Sequence, residues 1–144
     1  MKLAIGCDPN ATTFKKEIIE FVKGLGHDVT DFGSDDAIYA NVAIEVAKAV
    51  ANKEYDRGIL ICGTGIGVSI AANKVKGAYA ACINDTYQAQ RAELSNNANI
   101  ITMGAQVTGI ELAKMMVEEY LSCTFDPNSR SGPKVQRICD FEEE

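Results

Sequence analysis

Five short apolar runs, each followed by a stretch of helical spacing, predict an α/β protein. Regular alternation of this kind implies a three-layer, Rossmann-like fold: a five-stranded parallel sheet with helices on both faces. A second observation agrees. The third run, Gly58-Ile59-Leu60-Ile61, ends in Cys62-Gly63-Thr64-Gly65-Ile66-Gly67 and then recovers helical spacing. Strand, glycine-rich turn and helix in that order form the basic unit of a parallel α/β sheet. At 144 residues the chain has the size of one domain, spanning 1–144 with no linker or internal repeat.

The elements follow in order. Lys2 to Ile5 reads as a first strand, closing on Gly6-Cys7-Asp8. Thr12 or Thr13 is placed to cap a helix through Leu25, whose apolar face is Phe14, Ile18, Ile19, Phe21, Val22 and Leu25. Asp28 to Phe32 is a second strand. Asn41 to Asn52 has helical spacing in Val42, Ile44, Val46, Ala47 and Val50, and Asp56 to Cys62 is the third strand. Val68 to Lys74 is a helix and Ala78 to Ile83 a fourth strand. Asp85 or Thr86 caps a helix through Leu94, Asn99 to Met103 is a fifth strand, and Thr108 caps a helix to Leu121. The piece 123–144 is different: irregular through Pro133, then a short helix over Lys134 to Phe141 and an acidic end. It has little core of its own and must lie on the domain or on a neighbour.

Composition removes several function classes. The chain is 47% hydrophobic and 24% charged, ordinary for a soluble protein. A net charge of −6 without a basic run argues against nucleic acid and anionic membranes. No secretory leader pattern precedes the first strand, and no apolar run has the length of a membrane span. The five cysteines (Cys7, Cys62, Cys82, Cys123, Cys139) are odd in number and lack C-x-x-C spacing, which points to a reducing cytoplasm. Neither they nor the lone His27 make a plausible metal set. With one histidine, His-based proton relays within a single chain are excluded.

The turn at 62–67 carries the chemistry. It aims free backbone N–H groups and the positive end of a helix dipole at one place, and its glycines permit close approach to the backbone. A thiol there ionises more readily than a free one. The same residues also fit a plain βα turn with Cys62 as a small core residue. The spacing is neither G-x-G-x-x-G nor G-K-[ST], so the ligand it fits is a small anion or oxyanion rather than a nucleotide. Ligands of such sheets sit beyond the strands' carboxyl ends, where Asp8, Cys62, Asn84 with Asp85, and Gly104 all fall.

The run ICGTGIGVSIAANKVKG resembles the signature of the ribose-5-phosphate isomerase B and galactose-6-phosphate isomerase family. The likeness continues at Ile5-Gly6-Cys7-Asp8, at Asn96-Asn97-Ala98-Asn99, and from Met103 through Gly109. It covers nearly the whole chain in the family's order. The resemblance implies an aldose–ketose isomerase that needs no cofactor and works through a cis-enediolate. Cys62 then matches the family's thiol base. Gly63, Thr64, Gly65 and Gly67 match the loop that stabilises the enediolate, with Ser69 in its helical continuation. Asp8 matches a carboxylate that binds a sugar hydroxyl, and Tyr39 a tyrosine lining the pocket. Arg130 and Lys134 stand where the family has two phosphate-binding arginines, on a tail that reaches across a dimer. For each residue a simpler reading exists: Asp8 as a helix cap, Tyr39 as packing, the tail cations as solvated surface.

The departures are as informative. Members that isomerise ribose 5-phosphate carry histidine where this chain has Pro9. They have His-Asn-Asp at Ser95-Asn96-Asn97 and Gly-Gly-Arg-His at Asn128-Ser129-Arg130-Ser131, and an arginine common near the fifth strand is here Gln106. The thiol and its loop are intact while the histidines are gone. The resemblance implies a cytosolic sugar-phosphate isomerase of the ribose 5-phosphate/ribulose 5-phosphate type, built as a homodimer or a dimer of dimers. Two alternatives stand beside it: one subunit of a hetero-oligomeric galactose-6-phosphate isomerase, and a non-catalytic paralogue that binds a sugar phosphate. Substrates already largely open, such as a four-carbon aldose or ketose phosphate, are expected to be preferred, with a hexose phosphate opened by other means as the alternative.

Overall fold

The computed structural model covers Met1–Glu144. Its strands are β1 (Lys2–Cys7), β2 (Asp28–Asp31), β3 (Arg57–Cys62), β4 (Ala80–Cys82) and β5 (Ile100–Gly104). Its helices are α1 (Thr12–Gly24), α2 (Tyr39–Ala51), α3 (Ile66–Ala72), α4 (Thr86–Leu94), α5 (Ile110–Ser122) and α6 (Gly132–Glu142). All four strand pairings are parallel, in the order β2-β1-β3-β5-β4. The expected five-stranded α/β sheet is therefore present. From β1 the chain moves outward to β2, and from β3 it moves the other way to β4. The crevice between the ends of β1 and β3 is thus a topological switch point, the usual ligand position in open α/β sheets.

Alternation along the central strands explains the two-sided core. Ile59 and Ile61 of β3, with Leu3, Ile5 and Cys7 of β1, pack under α1, α4 and α5. Leu60 and Cys62, with Ala4 and Ile100, pack under α2 and α3. Every residue of β3 is buried, as a strand covered on both faces must be. Cys62 thus lies on the α2–α3 side, opposite Cys7. Burial pushes the Cys7 thiol up to about 11, so it is a protonated packing group.

Two expected caps are corrected. Neither Thr12 nor Thr13 caps α1, because a 3-10 turn at Pro9–Ala11 starts the helical path, with Asp8 accepting from Asn10 N–H. The Thr12 hydroxyl donates back to Pro9 O at 3.1 Å. Thr108 does not cap α5: Gly109 holds the cap position, and Thr108 is buried with its N–H donating to Gly104 O. Asp85 does cap α4, accepting from Gln88 N–H at 2.7 Å. α3 starts at Ile66, inside the glycine run, and α6 at Gly132 rather than Lys134.

The tail is tied to the sheet's amino edge by a buried cation. Arg57 opens β3, stacks 4.8 Å from the Tyr120 ring centroid, and donates to Tyr120 O and Cys123 O at 2.6 Å each. Glu93 of α4 faces it at 3.5 Å and accepts from Phe125 N–H. Burial pushes the Glu93 carboxyl up, while Arg57 and the Phe125 N–H pull it back. Further on, α6 docks on its own domain: Glu142 accepts from Gly77 N–H and from the Tyr79 hydroxyl. Arg57→Met should lower the unfolding free energy by about 3 kcal/mol, because it strands a buried carboxylate and two carbonyls. Urea titration measures this, and adding Glu93→Gln should recover part of the loss. Full stability in the single variant would mean that the ion pair holds nothing.

Candidate active site

β3 delivers Cys62 to the switch point, and the backbone after it turns at Gly65 with φ +81. A side chain at 65 would be strained by that φ, and its Cβ would sit 2.7 Å from the Met103 carbonyl carbon. The turn brings Gly65 N–H onto Cys62 Sγ at 3.1 Å, a buried hydrogen bond. The far side of the loop is pinned to β5 and its extension. Thr102 Oγ1 donates to Gly65 O at 2.7 Å, Ala105 N–H to Cys62 O at 2.9 Å and Gln106 N–H to Gly63 O at 3.0 Å.

With the carbonyls turned toward β5, the N–H groups of Gly63 and Thr64 have no partner within the chain. Thr64 is exposed, and its Oγ1 accepts from Ile66 N–H, which leaves the hydroxyl proton free. Tyr39, the first residue of α2, lies against Gly67, where any Cβ would collide with the ring. Asp8 is half-buried beyond β1, one carboxylate oxygen holding the Asn10 N–H. Ser69 faces inward on α3 and is buried. Gln106 lies over Gly63, and Cys82 Sγ is 4.0 Å from Thr64 O. Nowhere do three His, Cys, Asp or Glu side chains converge as metal ligands.

The structure therefore brings Asp8, Tyr39, Cys62, Gly63, Thr64, Gly65, Gly67 and Ser69 to the carboxyl edge. It does not bring the other four expected residues there. Ser95 closes α4, with Arg91 Nε donating to its Oγ at 2.6 Å, and Asn96 follows in the turn into β5. Arg130 lines a cavity of about 240 Å³ with Arg91 and Leu94 of α4. Lys134 lies outside that cavity, exposed on the first turn of α6. All four are at the sheet's amino edge. The six residues of β3 separate the two edges by about 20 Å, farther than a sugar phosphate reaches. Arg91 carries no motif, and the only sequence sign of it was its place one helical turn before Ser95.

A thiol with an N–H on its sulfur, beside unpaired backbone donors at a switch point, defines a class of site suited to proton transfer next to a carbonyl. Comparison with known proteins makes the class specific. A family model described as Ribose/Galactose Isomerase matches residues 3–138. The chain belongs to this family. It is 46% identical to ribose-5-P isomerase B of Listeria innocua, over 100% of this chain and 96% of that protein. It is 45% identical to D-erythrulose-4-phosphate isomerase 2 of Mycolicibacterium smegmatis, over 99% and 97%. The structure of ribose-5-phosphate isomerase B from Clostridium thermocellum superposes with a TM-score of 0.93 at 40% identity, covering 99% of this chain and 98% of that one. The chain is accordingly a sugar-phosphate isomerase of the aldose–ketose class.

Proposed function

We propose that the protein moves one proton between C1 and C2 of a sugar phosphate through a cis-enediolate, with Cys62 as the base. The observation that carries this reading is the Gly65 N–H on Cys62 Sγ, within a loop whose neighbouring donors are free. The thiolate takes the proton from the carbon beside the carbonyl. The Gly63 and Thr64 N–H groups receive the developing oxyanion, and the Thr64 hydroxyl donates to the adjacent oxygen. The protonated thiol then returns the proton to the other carbon. Asp8 and Tyr39 hold sugar hydroxyls at the rim. No redox partner or cofactor enters this scheme, since aldose and ketose have the same composition.

The separation of the two edges supports a site completed by a second copy, which brings Ser95, Asn96 and Arg130 from its amino edge. Exposed Ile38, Ile66 and Ile70 around the Cys62 loop, each more than half accessible, are a suitable surface for that partner. Five free thiols fit a reducing, cytoplasmic setting.

The substrate follows from what the rim lacks. A pentose 5-phosphate closes through O4 and must be opened before its C2 proton is acidic, a task suited to imidazole. Here Pro9, Ser95 and Ser131 stand at the positions in question, and a serine hydroxyl is a poor acid at neutral pH. A tetrose phosphorylated on O4 has no hydroxyl placed to close a furanose ring. The preferred substrate is therefore the four-carbon pair, erythrose 4-phosphate type aldose and erythrulose 4-phosphate type ketose.

Cys62→Ala should reduce turnover by about 10²–10⁴-fold with the fold intact, the usual cost of a general base. Near-normal turnover in that variant would remove Cys62 from the mechanism. Mixing Cys62→Ala with Arg130→Ala subunits should restore activity through heterodimers holding one intact site. If exchange is demonstrated by mass spectrometry and activity stays absent, each site is built from one chain. On a panel of four-, five- and six-carbon aldose phosphates, kcat/KM should be highest for four carbons. Ser95→His should raise ribose 5-phosphate turnover more than tetrose phosphate turnover. Efficient use of ribose 5-phosphate by the unaltered protein, at about 10⁴ M⁻¹s⁻¹ or better, would defeat the open-chain reading.

A further inference from the structure

We infer that Arg91, rather than Lys134, is the second cation of the phosphate site, working beside Arg130. Three features of one cavity carry this. Arg91, Leu94, Asp126, Ser129, Arg130 and Ser131 line it between the last turn of α4 and the loop before α6. Arg91 spends only its Nε, on Ser95 Oγ at 2.6 Å, and Arg130 makes no hydrogen bond or ion pair. Two guanidinium groups without an acid partner are conspicuous in a chain of 20 acidic and 14 basic residues. The other two arginines, Arg57 and Arg137, are both paired with glutamates.

The second feature is a hydroxyl. Ser129 Oγ is buried and is the only buried side-chain N or O atom without a hydrogen-bond partner. A buried polar atom of that kind carries a free-energy cost that a ligand oxygen would relieve. The third is the start of α6: Ser131 is its cap residue and Gly132 its first, so the positive end of the helix dipole opens on the cavity. Asp126 is the one acid in the lining, and its Oδ1 is engaged by Asn128 N–H at 2.8 Å. Two forks, a hydroxyl and a helix terminus suit a phosphomonoester dianion, which accepts several charge-assisted bonds at once.

The Arg91–Ser95 bond gives the arrangement a further consequence. It fixes the guanidinium plane through Nε and leaves the Nη1–Nη2 edge to bind the phosphate. The same bond fixes the Ser95 hydroxyl beside the guanidinium. The cation and the residue in the ring-opening position are thereby set at a fixed spacing, which suits a short sugar phosphate. The role rests on the isomerase reading for its substrate, but not for the anion itself.

Inorganic phosphate is the direct probe, titrated calorimetrically into the intact protein, with KM and kcat for a tetrose phosphate measured in parallel. Arg91→Ala should weaken phosphate binding and raise KM, each by about tenfold or more, with kcat changed much less. Arg91→Lys should recover only part, because the fork is lost. Arg137→Ala, which removes a cation outside the cavity, should leave phosphate affinity within about twofold. Should Arg91→Ala prove unstable, Arg91→Gln removes the charge at similar length and carries the same expectation. Phosphate affinity unchanged in the Arg91 variants would overturn the assignment, whether or not Arg130→Ala abolishes binding. Arg91-dependent phosphate binding by a protein that turns over no sugar phosphate would uphold the site while removing the isomerase reading.

Discussion

The close approach of two backbone segments sets everything at the carboxyl edge. The loop 63–65 lies so near the end of β5 that a Cβ on Gly104 would come within 2.5 Å of the Thr64 carbonyl carbon. That contact is possible only with glycine at 104, and the left-handed turn at Gly65 is strain-free only with glycine there. Once the segments meet, the Gly63 and Gly65 carbonyls are taken up by Gln106 N–H and Thr102 Oγ1. The loop cannot rotate without breaking those bonds, so its remaining N–H groups keep one orientation. Preorganised donors of this sort act on a developing oxyanion without a reorganisation cost at the moment of reaction.

The amino edge answers to a different constraint. Arg57 enters the first position of β3 and gathers Tyr120 O, Cys123 O and Glu93, so the chain leaving α5 has one path. Apolar residues in place of both Arg57 and Glu93 could fill the same space, and replacing a whole buried pair in that way is often as stable. They could not donate to the Tyr120 and Cys123 carbonyls, and those two bonds are what aim the segment 124–131 back along α4. Arg130 and Ser129 reach the Arg91 cavity because of that direction. Stability at one end of the sheet and the proposed anion site at the tail would therefore depend on the same buried guanidinium.

Much of this was legible in the residues. The alternation of apolar runs and helical faces marks all five strands, and β3 with its glycine turn was placed to within one residue at each end. Caps were less legible, because the Pro9 turn hands its direction to α1 without needing Thr12, and Thr108 is consumed by packing. At the site, the carboxyl-edge group could be read from Cys62, Thr64 and the glycines, whose chemistry is local. The distribution of the rest could not. Sequence order says nothing of which edge Ser95 and Arg130 occupy until parallel strands and antiparallel helices are laid out, and that layout puts them away from Cys62. Arg91 was invisible for a simpler reason: an arginine on a polar helix face acquires meaning only from the empty valences around it.

The two edges differ in how much they specify. The carboxyl edge offers a thiol and unpaired backbone donors; on the proposed mechanism any aldose phosphate with an accessible C2 proton could use them, so that edge would select a reaction rather than a sugar. In the proposed two-copy site, selection by length would come from the distance between that edge and the proposed anion site of the second copy. Arg130 sits on a loop, but Arg91 projects from α4, whose face against α5 is buried through Ala89 and Ala92. A cation on a packed helix holds its position more closely than one on a surface loop. If the phosphate is gripped from α4, the span from anion to thiol is set by rigid elements of both copies. Shortening the substrate by one carbon would then be met by moving the cation from the tail helix to α4, with the Cys62 loop left as it is.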